Sequence, residues 1–445
     1  MNIDQNREWL RHWNAGEFLN EQRAAGRARV PASSIARYAA DHHRIAALLA
    51  KSDLSAQDRR LARMLEAITA PLAALQVDPI PRYYSYTGVN VLDEYIDGER
   101  LDFYMQEKLC VEGIRGLLLE LTRFESYSLV GIEPWSCQKL DMDVVVNRLK
   151  LLRRQFTALN DLAGMVGVVL SPAEISGPRV YATLDDYCAE EHPLSAMVQF
   201  TCIPNSCSHD EVLFLRTIAE DELCFKGIYL AVRQSVEAIE REMWDAAASC
   251  LMQATAFAVM LHESFRVLQS MPPEHFTDFR EVTGQASAVQ SFNYQRLDIA
   301  LFGMNAEKVS VFQRVPHLKS LLQYGSPEYA SLRTLISSLP SGPKAAKVLD
   351  HARLLDRHLL SWRGLHLSFA FRYLPPETMG TGGTAGPSFL QKFFRQSLFS
   401  DTEPDFALID DIFGGSANIE EIFRAQSGTR IAPAESLWVR PVAAT

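Results

Sequence analysis

The sequence has no long block of lysine and arginine, and its 44 basic residues are outnumbered by 54 acidic ones, leaving a net charge of -10. Nucleic-acid binding needs a basic footprint for the phosphate backbone, so no nucleic-acid partner is expected. Seven cysteines (Cys110, Cys137, Cys188, Cys202, Cys207, Cys224, Cys250) are scattered without a C-x-x-C pair. That odd, dispersed set excludes a disulfide framework and a zinc ribbon and fits reduced thiols. Cys202, Cys207 and His209 form the one tight grouping, but they lack zinc-finger spacing and a fourth ligand. The N-terminus shows no basic stretch leading into an apolar run, so a cytoplasmic protein is expected. The longest apolar stretch, Ala246 to Leu261, is interrupted by Ser249, Gln253 and Thr255 and ends at His262 and Glu263, too polar for a membrane span. Strand-like alternation is scarce as well. Its best instance, Met165 to Leu170, runs straight into Ser171-Pro172.

Helical periodicity is abundant, and 47% of the 445 residues are hydrophobic, enough for a large core. Val145, Leu149, Leu152, Phe156 and Leu159 recur at steps of three and four. Ala247, Leu251, Ala254, Ala258, Leu261, Phe265 and Leu268 do the same, with small residues that admit a close neighbour. A third stripe runs Val348, Ala352, Leu355, Leu359, Trp362, His366, Phe369, and a fourth runs Phe214, Ile218, Asp221, Phe225, Ile228, Val232, Ile239. An all-α fold is expected. Breaks fall at Val77-Asp-Pro-Ile-Pro81 and Pro272-Pro273. Two short echoes, Glu107 to Ile114 with Asp221 to Ile228 and Gln155 to Leu159 with Ser264 to Leu268, are explained either by a decayed duplication or by chance likeness among helices.

Three features carry chemistry. His366 lies in line with apolar residues, so its imidazole should face the interior, as a core histidine or as a ligand. Pro375 to Pro387 is rich in glycine, and Gly380-Thr381-Gly382-Gly383 can bring backbone N–H groups and a hydroxyl against a ligand; no Lys-Ser or Lys-Thr follows, so it is not a P-loop. Arg280, in Phe276-Thr-Asp-Phe-Arg-Glu281, suits a bidentate carboxylate clamp or a surface ion pair with Asp278 or Glu281.

These pieces, in order, resemble the tryptophan 2,3-dioxygenase family. His209-Asp-Glu-Val-Leu-Phe214 to Phe225-Lys226 is similar to the family's first haem-pocket helix. Phe265 to Arg280 with Ala286 to Ser291, and Trp362-Arg-Gly-Leu-His366 followed by Gly380 to Gly386, resemble its second and third blocks. The resemblance implies a helical-bundle haem-binding core of the tryptophan/indoleamine dioxygenase type, with haem b as cofactor and O2 as co-substrate. His366 would be the iron ligand, with Trp362, Gly380, Gly382 and Arg296 also toward the cofactor. Arg280 would hold the carboxylate of an aromatic amino acid and Thr381 its ammonium, with Phe214, Ile218, Phe276 and Ser287 lining the substrate pocket. Tyr83 and Tyr86 match a tyrosine motif that in the family comes from a neighbouring subunit, which implies a homodimer or homotetramer. The organisation expected is an N-terminal helical region (1–80), a helical insertion that a decayed duplicate would explain (81–205), a haem-binding core (206–400) and a C-terminal tail (401–445).

The departures matter equally. Ile218 stands where the family's distal histidine is expected, and it removes a polar contact worth about 1 kcal/mol of substrate orientation. Cys224 replaces a tryptophan, Gly227 a glutamine, and Gln295 a propionate-binding arginine, with Arg296 one position on. The resemblance implies oxidative opening of the L-tryptophan indole ring to N-formylkynurenine. Ile218 and the insertion leave open a biosynthetic monooxygenase or hydroxylase of a modified tryptophan, indole or tyrosine. A catalytically inactive haem-binding helical protein is the third reading.

Overall fold

The computed structural model describes residues 3–51, 54–98, 101–131, 140–170, 180–190, 192–326, 329–374, 387–414 and 419–425. Among them the regular elements are all helices, and the one β-contact is an isolated bridge between Asn14 and Thr183. The fold is all-α, as the periodicity predicts. Met165 to Leu170 forms no strand: the helix Met142–Met165 closes there, and Gly167 turns the chain at φ +67°.

The chain divides into two compact units, Met1–Leu223 with Ser270–Ala286, and Cys224–Gln269 with Ser287–Thr445. In this division residues 209–223 group with residues 81–205. The helix Met142–Met165 supplies polar contacts within that unit. Its buried face runs Val145, Arg148, Leu152, Gln155, Leu159, Leu162, so Arg148 and Gln155 occupy places that the apolar pattern assigned to Leu149 and Phe156, which are half-buried. Gln155 Nε2 donates to Glu220 Oε1 at 2.6 Å, and Arg148 pairs with Asp210. Partners on the helix His209–Glu240 thus draw polar side chains into the first unit.

In the first unit Asp102 caps the helix Phe103–Val130 by accepting from Met105 N–H, and Asp141 caps Met142–Met165 the same way from Asp143 N–H. The two helices pack on each other. In the second unit the helices Trp244–Leu268 and Pro343–Tyr373 form the main contact, and both predicted stripes are buried apart from His366, which is half-buried. Trp244–Leu268 is long and apolar enough by composition to cross a membrane; sixteen of its residues are buried by packing within the protein. Gly227 allows a close approach here. A Cβ at that position would stand 2.5 Å from the Phe257 ring, which explains the missing side chain where the family carries glutamine.

Candidate functional site

The first unit holds most of the residues expected at the substrate, with Ser287 in the second unit. Phe214 and Ile218 lie one turn apart on the helix His209–Glu240, both half-buried, and Phe276 is buried on the helix Pro273–Arg280. The rings of Phe214, Phe276 and Phe279 form a triangle with centroid separations of 5.4, 5.5 and 5.4 Å. Edge-to-face packing of this kind fixes ring orientation. Arg280 ends its helix half-buried, and burial lowers its guanidinium pKa. Beyond it, Gly284 adopts φ +59°, and a Cβ there would stand 2.7 Å from Pro81. Gln285 N–H donates to Pro81 O at 2.7 Å. The segment after Arg280 is therefore laced to the turn that precedes Tyr83.

Tyr83 and Tyr86 are buried within their own chain. Tyr83 Oη donates to Glu222 Oε1 at 2.5 Å, and burial together with Glu222 pushes the phenol well above its ordinary pKa. The Tyr86 hydroxyl faces Glu211, outside hydrogen-bond geometry, and is likewise pushed up by burial first and Glu211 second. The backbone N–H groups of Asn205 and Ser206 donate to Glu211 at 2.8 and 2.7 Å.

Sequence reasoning missed the charged network under the aromatic triangle. Arg148 Nη1 meets Glu125 Oε1 at 2.7 Å and Asp210 Oδ1 at 2.8 Å, with all three side chains fully buried. Arg148 Nε donates to Ser270 Oγ at 3.0 Å, His209 Nε2 lies 3.0 Å from Glu125 Oε2, and His275 Nδ1 lies 2.6 Å from Asp210 Oδ2. An ionised carboxylate only accepts, so these imidazole nitrogens carry the protons. Burial raises the Glu125 pKa, but Arg148 and His209 outweigh it and hold the carboxyl below its usual value. His209 and Asp210 begin the first family-like block, and that was the available signal; Glu125 and Arg148 are far away in sequence. His209 is thus a network member. Cys207 Sγ meets Arg29 and Cys202 Sγ meets Thr201, and no metal-holding group of His, Cys, Asp and Glu occurs among the described residues.

The second unit holds the residues expected at the cofactor. His366 projects from Pro343–Tyr373 with the Phe265 ring 6.1 Å away and the Trp362 ring 5.7 Å away. Burial pushes its imidazole down to about 4, so it is neutral at pH 7, and no hydrogen-bond partner among the described residues occupies its nitrogens. Trp362 packs on Phe225 and Tyr294 at 5.1 and 5.6 Å, and its buried Nε1–H has no partner among the described residues. Gln295 turns its amide to Val289 O at 3.0 Å. Arg296 lies over the Tyr229 ring at 3.9 Å and beside Tyr324. Ser287 is half-buried, and Cys224 is buried. Gly380, Thr381 and Gly382 lie outside the described residues.

A model of the tryptophan 2,3-dioxygenase family matches residues 176–320. The tryptophan 2,3-dioxygenase of Bacillus anthracis is 23% identical over 234 residues, covering 43% of this chain and 82% of the relative. That of Serratia proteamaculans (strain 568) is 23% identical over 258 residues, 50% of this chain and 89% of the relative. That of Myxococcus xanthus (strain DK1622) is 25% identical over 269 residues, 52% of this chain and 91% of the relative. These matches support the chain as a divergent relative of the tryptophan 2,3-dioxygenase family. It is accordingly an enzyme of the oxygenase class. Nearly whole relatives align to about half of it, so the chain carries a large addition.

The residues present suit a haem iron. A neutral imidazole without a hydrogen-bond partner among the described residues, set among aromatic rings, would offer a free nitrogen lone pair to a metal. The Trp362 N–H, also without a partner among the described residues, would be an unused donor for a polar group of the cofactor.

Proposed function

We propose that the chain is a haem-dependent oxygenase of an aromatic amino acid, most simply opening the indole ring of L-tryptophan to N-formylkynurenine. The observation that carries this is His366, a neutral imidazole set beside Phe265 and Trp362 and without a hydrogen-bond partner among the described residues. The haem, when bound, supplies activation of O2. This chain's residues supply position. Arg280 binds the substrate carboxylate, and its half-burial strengthens that contact by limiting the competition of water. Phe214 and Phe276 orient the ring and exclude water around it. Thr381 meets the ammonium. The protein works in the cytoplasm as a homodimer or homotetramer, which light scattering tests directly.

The test is the absorption spectrum of wild type beside His366→Ala, oxidised and reduced, with and without L-tryptophan, followed by product analysis. A Soret band that is absent in the variant and shifts with tryptophan supports the reading. No band after haem reconstitution overturns it.

Ile218 favours a second reading, a monooxygenase of a modified tryptophan, indole or tyrosine. It is half-buried beside Phe214 and offers no acceptor to an indole N–H. Ile218→His should lower KM for L-tryptophan about fivefold if tryptophan is the substrate, the equivalent of one hydrogen bond. A variant with unchanged KM and a preference for a substituted ring favours the second reading.

A further inference from the structure

Two arginines from two helices face one carboxylate inside the first unit, and Arg23 on a third helix lies within electrostatic reach of it. Arg23 lies on Ala15–Ala25, Glu120 and Arg123 on Phe103–Val130, and Arg216 on His209–Glu240. Arg123 Nη1 pairs closely with Glu120 Oε1. Arg216 Nη2 stands 3.9 Å from Glu120 Oε2, too far for a hydrogen bond. Arg216 is 3% exposed, and its Nε–H and Nη1–H have no hydrogen-bond partner among the described residues. Tyr187 is fully buried; the Tyr181 backbone lies near its oxygen, yet its O–H finds no acceptor among the described residues. Burial, opposed by Glu120 and reinforced by Arg216 and Arg123, lowers the Arg23 guanidinium to about 10.

A guanidinium always carries its charge, so it cannot relieve this burial by losing a proton. Buried donors left unmatched are costly, and charged ones most of all. Arg216, Arg123, Glu120 and Tyr187 all lie within electrostatic reach of Arg23, so positive charge, unused N–H groups and an unused O–H share one region, and one species satisfies all of them.

We propose that this cluster is a binding site for a small anion, a halide or a carboxylate- or sulfate-sized oxyanion, held by Arg216 and the Tyr187 hydroxyl within the positive field of Arg23 and Arg123. Arg216 stands between Phe214 and Ile218 in sequence, on the buried side of the same helix whose half-buried side carries those two residues. The anion therefore ties the N-terminal helix and the helix Phe103–Val130 to the segment that presents the aromatic pocket. This site is independent of haem and of the identity of the substrate.

The test is thermal unfolding of the full-length chain at constant ionic strength, with sodium gluconate exchanged stepwise for chloride, sulfate, phosphate or formate. Wild type should show a saturable rise in Tm for at least one of them, on the order of 3 °C at a hundredfold excess over Kd. Arg216→Met should lose the saturable rise. In gluconate it should unfold at no lower temperature than wild type, because its buried charge is gone. Tyr187→Phe, which keeps the ring contacts with Phe200 and Tyr181, should weaken the apparent Kd severalfold. The ion that produces the saturable response identifies the class. Responses to every anion that run parallel in wild type and both variants would mean that water fills the site, and would overturn the proposal.

Discussion

Tyr83 donates its hydroxyl to Glu222 of the same chain at 2.5 Å, with both side chains buried. Tyrosine and carboxylate lie 139 residues apart in sequence. The bond fastens the turn after Pro81 to the helix His209–Glu240, and Pro81 in turn accepts from Gln285 beyond Arg280. The tyrosine motif thus has a structural task inside its own chain.

Tyr83→Phe should accordingly destabilise the chain by about 1–3 kcal/mol, since Glu222 loses a donor where water does not replace it. Urea denaturation measures this. A loss near zero would show that the Glu222 carboxylate is satisfied without Tyr83.

The network around Arg148 should be more sensitive. Arg148→Met leaves Glu125 and Asp210, both fully buried, without their cation and should cost about 3–5 kcal/mol. The milder Asp210→Asn loosens His275 and with it the helix that ends in Arg280. It should raise KM for the amino-acid substrate more than it lowers kcat, with a smaller effect on a substrate analogue lacking the carboxylate. Equal effects on both compounds would assign the network to stability alone.

His262 predicts an acid-sensitive second unit. Burial first, and His358 second, lower its pKa to about 3, while its Nε2 meets His358 O at 2.9 Å. The folded state therefore holds this imidazole neutral, and an unfolded chain takes up a proton below its ordinary value of 6.5. Stability from this group is present above pH 6.5 and is lost as pH falls toward 3, by roughly 5 kcal/mol at most. The urea midpoint should fall over that window in wild type, and less steeply in His262→Gln.

Gly227→Ala should cost about 1–3 kcal/mol, because the added methyl meets the Phe257 ring at 2.5 Å. Phe257→Leu in the same chain should recover some of the loss. Additive effects of the two substitutions would rule out this contact as the cause.

The sequence alone determined the helices and their apolar faces. The apolar residues in the stripes of Trp244–Leu268 and Pro343–Tyr373 are buried as the spacing of three and four predicts, because burial of an apolar side chain depends mainly on its own chemistry and its position on the helix. It also brought His366 into an apolar stripe. Only the tertiary structure decided which polar residues enter the core. Arg148 and Gln155 displace Leu149 and Phe156 from the buried face of Met142–Met165, and Arg216 sits buried between Phe214 and Ile218. A buried charge is stable only against partners of opposite charge, and those partners, Glu125, Asp210 and Glu120, come from other helices. Periodicity along one helix carries no record of them.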